Sequence, residues 1–242
     1  MKEQIPKWLK LNNEIMIRKD GSFQFNKDKQ AAHSYFVDYI NQHTVFFHDL
    51  KEKIDYLIEN DYYEKEFLEQ YTFGQVKEIF DIAYRKKFRF PSYMSAFKFY
   101  NDYALKTDDK EKILERYEDR VAIVALYLAD GDFEKAKELV SMLINQEFQP
   151  ATPTFLNARR KRRGELVSCF LFEMNDSLND IAMGENIAMQ LSKVGGGVAI
   201  NLSKIRAKGE SIKNIANVTK GVVGVMKLLD HSFRYADQMG QR

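Results

Sequence analysis

Apolar positions recur at helical spacing through most of the first 150 residues. Ala31, Tyr35, Phe36 and Tyr39 mark a helix starting near Lys27, and Ile54, Leu57 and Ile58 mark another starting near Leu50. Upstream, Phe23 and Phe25 alternate as in a strand, after a turn at Lys19-Asp20-Gly21. Residues 62–90 read as two short helices separated near 71–74, and Pro91 ends that region because proline drives the preceding residue out of the helical basin. In SYMSAFKFYNDYALK, from Ser92, one face carries Met94, Phe97, Tyr100 and Leu105 and a second carries Phe99 and Tyr103, a width that predicts burial between helices. Residues 109–129 predict one long helix closed at Asp130-Gly131. Asp132 then caps a helix that exposes Lys135 and Lys137 and buries Ala136, Leu139, Val140 and Leu143.

The pattern changes after Pro150. The run LVSCFLFEM (166–174) carries no charge before Glu173, which suits a buried parallel strand. Asn175-Asp176 turn the chain, and Ser177 caps a helix that runs to about Lys193. Gly195-Gly196-Gly197 release that helix, and GVAINLS (197–203) predicts a second strand. A loop with Arg206, Lys208 and Gly209 leads to a last helix over about 214–239, striped by Val218, Val222, Val225, Met226, Leu229 and Phe233. Strand, helix, strand, helix is the opening of an α/β fold that two strands leave incomplete.

Composition narrows the class. Twelve glycines and four prolines in 242 residues favour long helices. A net charge of +2 gives no global drive toward nucleic acid or a membrane surface. There is no run of about 18 apolar residues to span a membrane and no apolar core of a signal peptide at the start. A single cysteine excludes an internal disulfide. The expectation is a soluble cytoplasmic protein. His33, His43 and His48 lack an i,i+4 partner or a nearby cysteine, so no metal set is predicted.

Candidate chemistry centres on Cys169, which reads as a redox thiol, a nucleophile or packing. Thiolate character would come from the run Arg159, Arg160, Lys161, Arg162, Arg163 or from a helix terminus. Those cations beside the hydroxyls of Thr152, Thr154 and Ser168 suit a nucleotide phosphate, while the run taken alone reads first as a solvated loop. A nucleic-acid surface would interleave aromatics with the cations, and none are interleaved here. The triple glycine lies between a helix and the following strand, the reverse of phosphate-binding glycine loops. It fits the close approach of bare backbone to a planar ligand or a neighbouring strand. The N-terminus of the Ser177 helix reads either as a receptor for a triphosphate or as a simple cap.

Taken together, QPATPTFLNA, KRRGELVSCFL, NDSL, QLSKVGGGVAINLSKIRAKG and YADQMGQR resemble the large (alpha) subunit of ribonucleotide reductase, class Ib, in its N-terminal portion. Arg159 departs from the family, which usually has glycine after Asn-Ala. The resemblance implies a reduced cone-like region over 1–85, a helical N-terminal domain over 86–160, and over 161–242 the first strand-helix units of a ten-stranded α/β barrel, incomplete here. It implies reduction of ribonucleoside diphosphates to deoxyribonucleoside diphosphates. Cys169 matches one member of the redox cysteine pair, and Thr152, Ser168, Cys169, Gly196 and Gly197 match the substrate wall. Asp176, Ser177, Leu178, Arg206, Ile212 and Lys213 match the site of the deoxynucleotide effector. No cofactor is expected on this chain itself: the radical would come from a dimetal small subunit, and electrons from a glutaredoxin- or thioredoxin-like dithiol. Expected partners are the C-terminal remainder of the large subunit, the small subunit, and a second copy through the barrel-start helices, with neither nucleic acid nor membrane. The second redox cysteine and the thiyl cysteine are expected beyond residue 242, so the chain alone is expected to be inactive. The alternative is a non-catalytic nucleotide-binding or dimerising fragment that modulates an intact large subunit.

Overall fold

The computed structural model describes residues 5–158, 160–161, 165–167 and 169–236. Arg159, Arg162, Arg163 and Ser168, together with 237–242 of the last expected helix and the YADQMGQR motif, lie outside the described residues. The chain forms two compact units. One comprises Met1–Ala151 with Ala158–Lys161, the other Thr152–Asn157 with Arg162–Arg242.

The first unit is helical. Its elements are α1 (Lys7–Glu14), α2 (Asn26–Tyr35), α3 (Leu50–Glu59), α4 (Lys65–Leu68), α5 (Phe73–Arg85), α6 (Tyr93–Lys98), α7 (Tyr117–Ala129) and α8 (Phe133–Ile144). Helix α2 passes into a π-helical turn at Phe36–Ile40, and α6 into another at Phe99–Tyr103. Helix α7 is the spine. Val121 through Leu126 are fully buried, as an unbroken apolar run with no polar face requires. Helices α5 and α8 pack on it and on each other, burying Val76, Ile79, Phe80 and Ala83 from one and Ala136, Val140, Leu143 and Ile144 from the other. Asp130 in the left-handed region ends α7, and Asp132 caps α8 by accepting the Lys135 N–H at 3.0 Å. The Tyr71 hydroxyl closes this corner, donating to the Leu126 carbonyl at 2.8 Å and accepting the Gly131 N–H at 2.7 Å.

Four expectations are corrected here. Phe23 and Phe25 lie in a loop rather than a strand, and both rings are exposed. On α6 and the π-helical turn that follows it the buried residues are Tyr93, Ala96, Phe99 and Tyr100, while Met94 points outward, 61% exposed. The long helix expected over 109–129 begins only at Tyr117. Before it the chain turns at 108–110, and Ile113 exchanges backbone hydrogen bonds with the 43–45 segment. Glu115 is meanwhile drawn into the interior by distant cations. Arg160, read as part of a solvated run, is buried.

The second unit holds α9 (Thr152–Asn157), β1 (Cys169–Glu173), α10 (Leu178–Lys193), β2 (Gly197–Asn201) and α11 (Val222–Ala236). Strands β1 and β2 pair in parallel, register Cys169↔Gly197 through Glu173↔Asn201. Helix α10 makes the crossover that parallel strands need. Met174, Ala188 and Leu229 form the buried centre, with Phe172, Val198, Ile200 and Phe233 packed around them. The strand was expected to be buried. Instead its residues alternate, and Leu171 is 82% exposed, because the apolar centre covers one face of this sheet and not the other. Residues 214–221, expected as helix, form turns. Asn214 and Asn217 take positive φ, which asparagine tolerates better than most residues, and Gly221 has φ +73°.

Candidate functional site

Local sequence builds the site from two turns. At one end of the sheet, Cys169 opens β1 with an exposed side chain beside its ladder partner Gly197. Gly196 precedes that partner under tight constraint. A Cβ there would meet the Phe170 ring at 2.4 and 2.6 Å and the Leu191 carbonyl oxygen at 2.7 Å. Gly196 is thus explained by close approach of backbone to a neighbouring strand and helix, one of the two readings its position allowed. Thr152 starts α9. Asn157 Nδ2 donates to the Glu165 carbonyl at 2.9 Å, so α9 is stitched to the chain that leads into β1.

At the other end of β1, Ser177 adopts an extended backbone and accepts the Asp180 N–H at 3.0 Å, capping α10. Leu178 follows, 81% exposed. The Arg206 guanidinium pairs with the Asp176 carboxylate and donates to the Ser211 carbonyl at 2.8 Å. Ile212 and Ile215 exchange backbone hydrogen bonds at 3.1 and 2.9 Å, with Lys213 and Asn214 between them at φ 50° and 65°. Positive φ at both central residues is a type I′ turn, the geometry of a tight hairpin. Asp176, Ser177 and Arg206 therefore come together, Arg206 reaches the base of the hairpin carrying Ile212 and Lys213, and Cys169 and Gly197 adjoin. Ser168 is outside the described residues.

Two features of the helical unit went unread in the sequence. Glu115, Arg120 and Arg160 form a buried cluster. Glu115 accepts from Arg120 at 3.2 Å, from Arg160, and from the Tyr63 hydroxyl at 2.5 Å. Burial alone would raise the Glu115 carboxyl, but the Arg160 and Arg120 charges and the Tyr63 and Arg160 hydrogen bonds hold it down at about 2. Burial also lowers Arg120, against the support of Glu115. Arg120 at the head of an otherwise apolar run was the available signal. The second feature is a cavity of about 750 Å³ within the helical unit, lined among others by Phe36, Phe88, Phe90, Arg116 and Glu118. Among the described residues, no group of three or more His, Cys, Asp or Glu could hold a metal ion. No described helix is long and apolar enough to cross a membrane.

Comparison with known proteins covers nearly the whole sequence. Residues 8–88 match the family model of the ribonucleotide reductase N-terminal region, 89–163 that of the ribonucleotide reductase all-alpha domain, and 167–242 that of the ribonucleotide reductase barrel domain. The chain is 75% identical over 239 residues to the ribonucleoside-diphosphate reductase subunit alpha of Bacillus subtilis (strain 168), a match covering 99% of this chain and 34% of that protein. It is 75% identical over 242 residues to the NrdEB subunit alpha of Bacillus phage SPbeta, covering 100% of this chain and 22% of that one. Identity to the Mycoplasma genitalium subunit alpha is 46% over 240 residues, 99% of this chain and 33% of the relative. The chain thus spans about a third or less of these relatives. The helical unit followed by a two-stranded parallel sheet fits all-alpha domains joined to the start of a barrel domain. This chain belongs to the ribonucleotide reductase large-subunit family and corresponds to the N-terminal portion of the relatives it matches.

Proposed function

We propose that the chain supplies the N-terminal part of a class Ib ribonucleoside-diphosphate reductase, with domains meeting near residues 85 and 160. Completed by the rest of the subunit, it reduces ribonucleoside diphosphates to deoxyribonucleoside diphosphates in the cytoplasm. The reaction replaces the ribose 2′-hydroxyl by hydrogen and releases water. Two thiols give up two electrons and two protons and close to a disulfide, which an external dithiol reopens. Cys169 is one of those thiols. The chain has no second cysteine, so another segment supplies the partner. A radical-generating small subunit starts the reaction.

The observation that carries this reading is the placement of Cys169. Its side chain is exposed on the first strand, beside the side-chain-free Gly197 and the close-packed Gly196. The side-chain-free Gly197 beside the thiol supports room for a sugar there, with Thr152 in the wall and Ser168 assigned to it by the family resemblance alone. The Asp176–Arg206 pair beside the capped N-terminus of α10 supports a nucleotide effector site shared with Leu178, Ile212 and Lys213. Asp176 suits a ribose hydroxyl, and Arg206 and Lys213 suit phosphates. Helices α10 and α11 present exposed Met183, Val223 and Met226, a surface suited to pairing with a second subunit.

The test is complementation. This chain alone, with small subunit, dithiol and effector, should yield no deoxynucleotide. Adding or fusing the remaining part of a large subunit should restore turnover, and Cys169→Ser should abolish it. Turnover that survives Cys169→Ser would overturn the assignment.

A further inference from the structure

Rings four residues apart meet on one face of a helix. Tyr35, Tyr39 and His43 do so along α2 and the π-helical turn that continues it. Tyr35 and Tyr39 stack with centroids 5.4 Å apart, and Tyr39 and His43 with centroids 4.2 Å apart. Trp8 of α1 leans on both tyrosines at 5.7 and 5.8 Å. Tyr93 and Phe97, one turn apart on α6, add two more rings, 5.3 and 6.1 Å from Tyr35. These rings line a cavity of about 230 Å³ within the helical unit. Tyr35 and Tyr93 are buried, whereas Trp8, Tyr39 and Phe97 are only partly covered, so the cleft opens to solvent.

The cleft also carries positive charge. Lys106 and Lys110 line it, and the one acid among the described lining residues, Glu111, is exposed. Lys106 is half-buried and donates to the Asn101 carbonyl at 3.1 Å. Asp102, which acts on it electrostatically, is paired with Lys98 instead. Among the described residues, neither Lys106 nor Lys110 has an ion-pair partner. Burial lowers the Lys106 ammonium, Asp102 draws it back up, and Lys110 pushes it down again. A half-buried cation beside a second cation thus lacks the counter-charge that such groups ordinarily have.

We propose that this cleft binds a planar one-ring anion, an aromatic carboxylate or phosphate, with its ring against Trp8, Tyr39 and Phe97 and its charged head between Lys106 and Lys110. The ring gains stacked or edge contacts with the aromatic walls. The head accepts charge-assisted hydrogen bonds from both ammonium groups. The cavity is smaller than the about 300–1,000 Å³ of sites for larger ligands, which limits the occupant to a single ring. None of these residues belongs to the unit that carries Cys169, so the site is tested without turnover.

Trp8 is the sole tryptophan, so its emission, excited at the red edge where tyrosine does not absorb, reads this cleft in the 242-residue chain. Benzoate and phenyl phosphate are the probes, and benzamide is a neutral control of similar shape. The expected result is a saturable change in emission at submillimolar benzoate or phenyl phosphate, with benzamide weaker by about ten-fold or more. The tighter anion names the head group, and either order supports the proposal. Lys106→Gln should weaken anion binding about ten-fold, and Lys106→Arg, which keeps the charge, should stay within about three-fold. Lys110→Gln, on an exposed turn, should weaken it several-fold and decides the point if Lys106→Gln fails to fold. An emission change that never saturates, equal binding of benzamide, or undiminished binding by the folded glutamine variants would overturn the proposal.

Discussion

Cys169 and Gly197 are register partners in the parallel ladder, so the thiol has a residue without a side chain beside it. Paired residues of adjacent strands present their side chains to the same face. Gly197→Val should place a branched side chain against the sulfur and slow its alkylation several-fold with little loss of fold stability. Labelling kinetics of the 242-residue chain check this, and an unchanged rate would mean that the thiol is approached from another side.

Gly196 obeys a different constraint. Its missing Cβ would sit 2.7 Å from the Leu191 carbonyl oxygen as well as against the Phe170 ring, and backbone cannot swing away as a side chain can. Gly196→Ala should cost about 1–3 kcal/mol. A denaturant titration followed by tertiary circular dichroism would show the lowered midpoint.

The buried carboxylate makes the helical unit acid-sensitive. Glu115 titrates at about 2 when folded, against an ordinary 4.5. A depressed carboxyl contributes its stability above the ordinary value and loses it as pH falls through the folded one. The contribution, on the order of 3 kcal/mol, should therefore fade between about pH 4.5 and 2. Glu115→Gln should be less stable at neutral pH and should show a shallower decline over that window. Parallel slopes for the two proteins would assign the acid response to other groups.

Ser177 holds the first turn of α10 through the Asp180 N–H. Ser177→Ala should destabilise the second unit by about 1 kcal/mol. If the helix start also receives effector phosphate, the same change weakens effector binding in the completed enzyme, whereas Ser177→Asp should keep the cap and repel the anion. Calorimetric titration of both variants separates capping from binding.

The parts of the fold that were legible in sequence are those set by neighbours along the chain. Ser177 as a cap, Lys193 as the end of α10, and the Asp130-Gly131 turn followed by the Asp132 cap each depend on a few consecutive residues. What escaped depends on distant partners. Glu115 and Arg160 are 45 positions apart, and Ile113 bonds to the backbone of His43 and Val45, so the chain before Tyr117 is engaged with distant segments despite its helical composition. Met94 and Tyr93 are adjacent and both apolar, and the spacing put Met94 on the buried face, whereas the structure buries Tyr93. The turns over 214–221 did carry a local signal, asparagines at positions of positive φ, which the apolar spacing of Val218 and Val222 obscured. Asp176 and Arg206 were each legible by resemblance, but their direct ion pair, 30 residues apart, was not.

The excursion of Ala158–Lys161 into the helical unit also bears on how such a chain can be inherited in pieces. A recombination joint at residue 151 or at residue 162 separates domains neatly on a linear map, yet the first would part Glu115 from Arg160 and the second would part Asn157 from Glu165. A hybrid made at either joint inherits half of a lock, and works only if the other parent brings a matching half. Glu115 and Arg160 should accordingly travel as a unit through any lineage that shuffles these domains.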